Sequence, residues 1–337
     1  MEHNTLLTIS KRTGFSTSTV SRVLNGQGDK YRISKKTIQV VSEEAKKCHY
    51  TPSLLAKGLR MRKTQTIGLL LPGIDNPYFA SIASVVIYEA KKLGYTVVLV
   101  DTMEDEKNEQ EGITSLLSRK VDGIIIAPCG QDPTFLENTD QHHLPVILID
   151  RHFESTTLSY VCTDNYRGGY EATQYLTQHG HKDILCIRGL TYAMPSRERA
   201  RGYLDALKHN GLTNKKRIAG NDFSIKNGYL ETKLAINTTL PTAIFAMSNT
   251  ILLGAIKAIR EAKLKIPKDI SIVSFDNYTY LDYLDPAITR ISQPESEIGT
   301  MSVMLLVQRM ESSNSSQHAQ ILLPPQLITG NSVKKLL

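Results

Sequence analysis

Residues 7 to 24 read Leu-Thr-Ile-Ser-Lys-Arg-Thr-Gly-Phe-Ser-Thr-Ser-Thr-Val-Ser-Arg-Val-Leu, two short helical patterns broken by one glycine. The pattern predicts a helix-turn-helix. Ser16 suits the N-cap of a helix starting at Thr17, and Gly14 suits the left-handed stop of the helix before it. Leu7, Ile9 and Phe15 are expected to pack against Val20, Val23 and Leu24. That leaves Thr17, Ser18, Ser21 and Arg22 on an outward face that fits a DNA major groove. A third helix is expected from a Ser34 cap to about Lys47, with Ile38, Val41 and Ala45 turned inward. Pro52 ends it, and residues 53–60 have helical spacing with almost no core to join. Such a segment folds when DNA and a second copy of the chain supply contacts.

Charge sorts with this pattern. Residues 1–63 hold 13 Lys and Arg against 4 Asp and Glu, a net of +9, whereas the other 274 residues carry a net of −2. A basic face alone can be merely solvated; coincident with a helix-turn-helix, it points to nucleic acid. At 337 residues and 41% apolar content, two or three domains with a sizeable core are expected. Cys48, Cys129, Cys162 and Cys186 form no C-x-x-C pair and read as reduced, buried thiols. Neither His142-His143 nor His179-Gly-His181 has the spacing of a helical metal site, so no metal and no cofactor are expected. No leader opens the chain and no apolar run approaches the ~18 residues of a membrane span, so a cytoplasmic location without membrane contact is expected.

From Thr66 the text alternates short apolar runs with amphipathic stretches. The runs are Ile67–Leu71, Val97–Val100, Ile124–Ala127, Val146–Ile149, Ile184–Ile187, Ala243–Ala246 and Ile270–Phe275; the helices include Ala83–Leu93, Gly168–Gln178 and Leu252–Ala262. Seven strands with intervening helices fit two doubly wound parallel-sheet lobes better than one. Open parallel sheets bind ligands at the carboxyl ends of their strands. The residues there are Asn76 and Pro77-Tyr78-Phe79, Asp150-Arg151, Asn249 and Asp276-Asn277. No dinucleotide, P-loop or nucleophile-elbow motif stands at these turns, so no catalytic residue is assigned and an enzyme is not expected.

Thr-Val-Ser-Arg-Val-Leu-Asn at 19–25, then Tyr-Thr-Pro and Leu-Ala-Lys-Gly-Leu, resemble the headpiece and hinge of the lactose-repressor family of bacterial regulators, and the resemblance covers the whole chain. It implies an all-α helix-turn-helix head on a body like the periplasmic sugar-binding proteins. By that resemblance Thr17, Ser18 and Arg22 match base-reading positions. Thr5, Ser16, Ser21 and Asn25 match phosphate-contacting or helix-positioning ones, and Leu59 matches an apolar wedge into the minor groove. Capping or plain exposure explains each Ser and Thr equally well. In the body the effector clamp falls on Arg199, with Asn249 and Asp276 as partners and Asp150 and Gln293 completing the polar set. Asn76 borders it, and Tyr78, Phe79 and Phe223 are its apolar walls. Asp150 and Asp276 capping the turns after their strands is the alternative. Arg197 is a weaker candidate that can equally pair with Glu198 or water.

The resemblance implies domains at 1–52 (head), 53–63 (hinge) and 64–333 (effector binding and dimerisation). The N-lobe is about 64–163 with 293–322, and the C-lobe about 164–292 with 323–333. It implies a homodimer on palindromic operator DNA, controlled by a small polar effector, most simply a sugar; a purine or another polar metabolite fits the same fold. A stand-alone sugar-binding protein is the alternative. Two departures stand out. The loop at Gly28-Asp29-Lys30-Tyr31 is about three residues longer than in the lactose repressor, and Thr250 stands where the family often has Asp. The chain closes at Val333-Lys-Lys-Leu-Leu337 without a heptad tail, so dimers rather than tetramers are expected.

Overall fold

A computed structural model describes residues 5–50, 63–141, 144–311 and 318–336. The expected hinge, all but Lys63, lies outside these residues, and so do Leu59 and His142-His143. The chain divides into two units, Met1–Thr64 and Gln65–Leu337.

The first unit holds α1 (Leu6–Thr13), α2 (Thr17–Leu24) and α3 (Lys35–Lys47). Gly14 stops α1 at φ 75°, its N–H donating to the Ser10 carbonyl. The Ser16 and Ser34 hydroxyls accept from the Thr19 and Thr37 N–H groups at 3.2 and 3.1 Å, satisfying donors that the first turn leaves open. Ile9, Val20, Val23, Val41 and Ala45 form the core, flanked by Leu6, Phe15, Leu24 and Ile38. Leu7 is not part of it: it is 55% exposed. Leu6 and Ile9, three apart, share one face of α1, and Leu7 is turned 200° away from Ile9 at ~100° per residue.

The second unit runs β1 (Thr66–Leu71), α4 (Pro77–Lys92), β2 (Thr96–Asp101), α5 (Glu106–Ser118), β3 (Gly123–Ile126), α6 (Thr134–Gln141), β4 (Val146–Ile149), β5 (Ser159–Thr163), α7 (Asn165–Gln178), β6 (Ile184–Ile187), α8 (Met194–His209), β7 (Arg217–Ala219), α9 (Ile225–Thr238), β8 (Ala243–Ala246), α10 (Asn249–Glu261), β9 (Ser271–Phe275), β10 (Thr289–Ser292), α11 (Glu295–Glu311), β11 (Gln320–Leu323) and β12 (Gln326–Ile328). Two six-stranded sheets result, ordered β2-β1-β3-β4-β5-β11 and β7-β6-β8-β9-β10-β12. Every neighbouring pair is parallel except β10 with β12, an antiparallel edge. Helices cover both faces of the first sheet. Ile67, Leu69 and Leu71 therefore pack into one core and Leu70 into another, which is why the strand reads as a continuous apolar run.

The seven apolar runs are all strands. Of the other five strands, β11 carries a short last apolar run, Ile321–Leu323, and four escape that reading: β5, β7, β10 and β12. In β5 and β10 polar groups are buried, among them Ser159, Thr163, Thr289 and Arg290; β7 and β12 are half-exposed edges without an apolar run. The helices begin earlier than their apolar faces suggest, at caps: Asn76, Asp164 and Ser248 accept backbone N–H groups of α4, α7 and α10.

The chain crosses between lobes after β5, after β10 and after β11, and the three crossings are tied together. The Thr163 hydroxyl donates to Gln293 Oε1 at 2.7 Å, and the Asp164 N–H donates to the Leu323 carbonyl at 2.8 Å. Nearby, α7 and α8 touch backbone to backbone. A Cβ on Gly202 would stand 2.2 Å from the Tyr166 carbonyl oxygen, and one on Gly169 2.2 Å from that of Arg199. Gly202→Ala is therefore expected to push the helices apart and cost about 1–3 kcal/mol, read as a lower urea midpoint with an unchanged slope; an unchanged midpoint would contradict the close approach.

Candidate functional site

In the head, Thr17 and Ser18 are exposed on α2, with Ser21 and Arg22 half-buried beside them. The other expected contacts already serve the helix ends. Thr5 and Thr8 bond each other's N–H groups at 3.3 and 3.4 Å. The Ser16 hydroxyl lies 2.8 Å from that of Ser18, and Asn25 Nδ2 donates to the Ser21 carbonyl at 2.7 Å. The Arg22 guanidinium lies 4.0 Å from the centre of the Tyr31 ring.

In the body, Asp150 and Asp276 follow β4 and β9, the fourth strand of each lobe, so they occupy matching places at the two facing carboxyl ends. Both adopt left-handed backbone, φ 61° and 75°, a conformation costing roughly 1–2 kcal/mol for a residue with a Cβ. Both are 5% exposed. Asp276 accepts from the Asn249 N–H at 3.0 Å and from Gln293 Nε2 at 2.7 Å. One oxygen thus anchors α10 and the other reaches the interlobe crossing. The Tyr280 hydroxyl donates to Asn249 Oδ1 at 2.6 Å. Arg199, 3% exposed, donates through Nε to Asn165 Oδ1 at 2.7 Å and through Nη1 to the Met247 carbonyl at 2.5 Å. Its guanidinium lies 3.6 Å from the Phe275 ring centre. Burial pulls the Arg199 pKa down, with Asp276 and Asp150 working against it. Burial likewise pushes the Asp150 carboxyl up, with Arg151 and Arg199 pulling it back.

Asp150, Arg199, Asn249, Asp276 and Gln293 thus form one buried polar cluster at the strand ends, with Tyr78 within electrostatic reach. The Tyr78 hydroxyl is buried beside the Asp150 carboxyl and helps pull its pKa back down. Asn76 caps α4 by accepting the Tyr78 N–H at 3.1 Å. Phe79 packs edge-on against Tyr78 in the N-lobe core, ring centres 5.1 Å apart. Phe223 sits over Gly189, where a Cβ would come within 2.2 Å of its ring. Thr250 donates to the Phe223 carbonyl at 2.7 Å, a structural use for the residue that departs from the family pattern.

Arg197 does otherwise than expected. It pairs with Glu154 of the other lobe at 3.0 Å, not with Glu198, which pairs with Arg201. In the first turn of α8, Arg197 faces the loop after β4, whereas Glu198 and Arg201 are three apart along α8 and neighbour each other on its surface. With Cys129, Arg151, His152, Tyr192 and Met194 it lines a cavity of about 320 Å³ between the lobes, beside the buried cluster.

Sequence reasoning missed several partners. Arg151 donates to both Glu104 oxygens at 2.5 and 2.8 Å and lies 3.4 Å from Asp150. Thr163 and Asn165 hold Gln293 and Arg199. Glu295, in the first turn of α11, has a buried Oε1 without a hydrogen-bond partner. Burial pushes its carboxyl up to about 7, opposed by Ser81 and assisted by Asp276. The Asp150-Arg151 dipeptide was a local signal, but it names no partner dozens of residues away.

Residues 64–329 match the model of periplasmic binding proteins and the sugar-binding domain of the LacI family, and residues 5–53 match that of the bacterial regulatory proteins of the lacI family. The chain belongs to the LacI family. Its head is a DNA-binding domain and its body an effector-binding domain, and the reading as a stand-alone sugar-binding protein gives way to a transcription regulator. The family consists of transcription regulators, not enzymes. Among curated relatives, the ribose operon repressor of Haemophilus influenzae is 32% identical over 95% of this chain and 96% of its own length. The transcriptional repressor PurR of Pasteurella multocida is 32% identical over 99% of each. A LacI-family regulator of Enterococcus faecium with bound ribose is 27% identical with a TM-score of 0.73, covering 81% of this chain and 100% of that one. The operator-bound lac repressor dimer, 24% identical with a TM-score of 0.87, covers 98% of this chain and 99% of its own and shares the fold. Among the described residues, no helix is long and apolar enough to cross a membrane and no cluster of acidic, His or Cys side chains could hold a metal.

A carboxyl whose folded pKa lies above its unfolded value favours the protonated folded state. The Glu295 contribution is fully present below pH 4.5 and is lost as pH rises through about 7. Glu295→Gln should therefore narrow the fall in Tm between about pH 5 and about pH 8; an identical fall in both proteins would contradict the assignment.

Proposed function

We propose that this chain is a cytoplasmic repressor that pairs as a homodimer, sets its two heads on a palindromic operator, and has its operator affinity controlled by a small neutral sugar held between the lobes. Residues 1–52 read DNA, 53–63 form the hinge with Leu59 as wedge, and 64–333 bind effector and partner subunit. Thr17, Ser18 and Arg22 read bases; Thr5, Ser16, Ser21 and Asn25 position the head on phosphates.

The observation that carries the effector reading is the buried cluster of Asp150, Arg199, Asn249, Asp276 and Gln293. Each sugar hydroxyl both donates and accepts, and carboxylates, amides and a guanidinium supply both complements. Asn76, Tyr78, Phe79 and Phe223 shape the space around it, and Arg197 borders its entrance. Charge balance narrows the class. Asp150, Asp276 and Glu104, with Glu295 pushed up to about 7 beside them, already outnumber the two guanidinium groups of Arg199 and Arg151, so a neutral polyhydroxyl compound is favoured over a phosphorylated one. The ribose-related relatives make D-ribose the first compound to test.

A thermal-shift panel of neutral sugars and their phosphate esters tests this reading. One neutral sugar should raise Tm in wild type, by up to about 2.7 kcal/mol of stabilisation at a hundredfold excess over Kd. Arg199→Lys, which keeps the charge but loses the forked geometry, should abolish the rise. A phosphate ester binding more tightly than its parent sugar would contradict it. On DNA, Arg22→Ala should cost about 1–3 kcal/mol on the preferred duplex and relax its sequence preference; equal loss on random duplex would make Arg22 a phosphate contact instead.

A further inference from the structure

We propose that Tyr31, delivered by the lengthened loop between α2 and α3, is a positioning residue that holds Arg22 ready for base reading. The inference rests on the assignment of Arg22 to a base edge and adds a residue that the pattern match leaves unassigned.

The loop is a built structure. The Gln27 N–H donates to the Arg22 carbonyl at 2.9 Å, the Tyr31 N–H to Gln27 at 3.2 Å, the Arg32 N–H to Asp29 at 3.1 Å and the Ile33 N–H to Gly28 at 2.9 Å. Two left-handed residues, Gly26 at φ 68° and Arg32 at φ 54°, turn the chain at either side. Gly28 presses on α3, where a Cβ would stand 2.6 Å from Ile38 Cδ1. These bonds fix the loop and so the origin of the Tyr31 side chain. Its ring is 41% exposed and lies against the Arg22 guanidinium, 4.0 Å from ring centre to Cζ.

The chemistry of the two contacts is complementary. An aromatic ring takes the flat face of a guanidinium, whereas a guanine edge takes two N–H groups in its plane. Stacking on Tyr31 therefore leaves the reading edge open. No described carboxylate lies in salt-bridge range of Arg22 to compete for it. An arginine already held in one orientation loses less freedom when it meets a base.

The test uses the full-length protein. A preferred duplex is first selected from a random-sequence library with wild type, and affinities are then measured for that duplex and for a scrambled one. Tyr31→Ala should weaken binding to the preferred duplex about 3- to 10-fold while leaving scrambled duplex within twofold. Tyr31→Phe, which keeps the ring and removes the hydroxyl, should retain wild-type preference. In an Arg22→Ala background, Tyr31→Ala should have no further effect on preference. Equal losses on both duplexes, loss in Tyr31→Phe, or additive effects of the two substitutions would overturn the proposal and make Tyr31 a phosphate contact or a fold element. If Arg22→Ala itself leaves preference intact, or selection yields no preferred duplex, the base-reading role of Arg22 fails and this inference with it; a relaxed Arg22→Ala beside an unaffected Tyr31→Ala sinks the inference alone.

Discussion

The hydrogen bond from Thr163 to Gln293 joins two chain crossings that lie 130 residues apart in sequence, and the cleft is organised around it. Gln293 passes the connection to Asp276, and Thr163 passes it to Arg199 by way of Asn165, whose Nδ2 donates to the Thr163 carbonyl at 3.1 Å. Four of the residues proposed to hold an effector, Arg199, Asn249, Asp276 and Gln293, are thus bonded through this chain to the pivot between the lobes. A ligand that engages Asp276 or Arg199 acts on groups already coupled to that pivot, which is what a differential affinity for two lobe arrangements requires.

The cost of this arrangement is visible in the backbone and in the charges. Asp150 and Asp276 hold left-handed conformations at matching strand ends, and each buries a carboxylate. The surroundings offset both: backbone and amide N–H groups meet Asp276, guanidinium groups flank Asp150, and the close approach of α7 and α8 at Gly169 and Gly202 seats Arg199. The Arg197–Glu154 pair crosses the cleft farther out, where its exposed partners contribute little to stability.

Local signals were legible in the sequence and nonlocal ones were not. Gly14, Ser16 and Ser34 could be read as stops and caps because a cap bonds residues three or four away. Strands β1, β3 and β4 could be read because both faces are covered and the runs are continuously apolar. The lobe count followed from them. β5 and β10 escaped because buried Ser, Thr and Arg side chains replace apolar ones where the strands meet the pivot. Leu7 was misplaced because the onset of α1, not its composition, sets which leucine faces inward. The clamp positions came from family resemblance, whereas their supports, Arg151 on Glu104, Asn165 on Arg199 and Tyr280 on Asn249, depend on pairings between residues 31 to 47 apart. Tyr31 was visible only as extra loop length.

The coupling of cleft to head is tested most directly by operator-duplex affinity measured with and without saturating effector sugar, in wild type and in Thr163→Val. That substitution removes the hydroxyl that bonds the two crossings, leaves Asp150, Arg199, Asn249 and Asp276 unaltered, and leaves Gln293 its bond to Asp276. The account predicts that the variant binds effector within a few fold of wild type while the effector-dependent change in operator affinity shrinks. A ratio of operator affinities equal to that of wild type would contradict it.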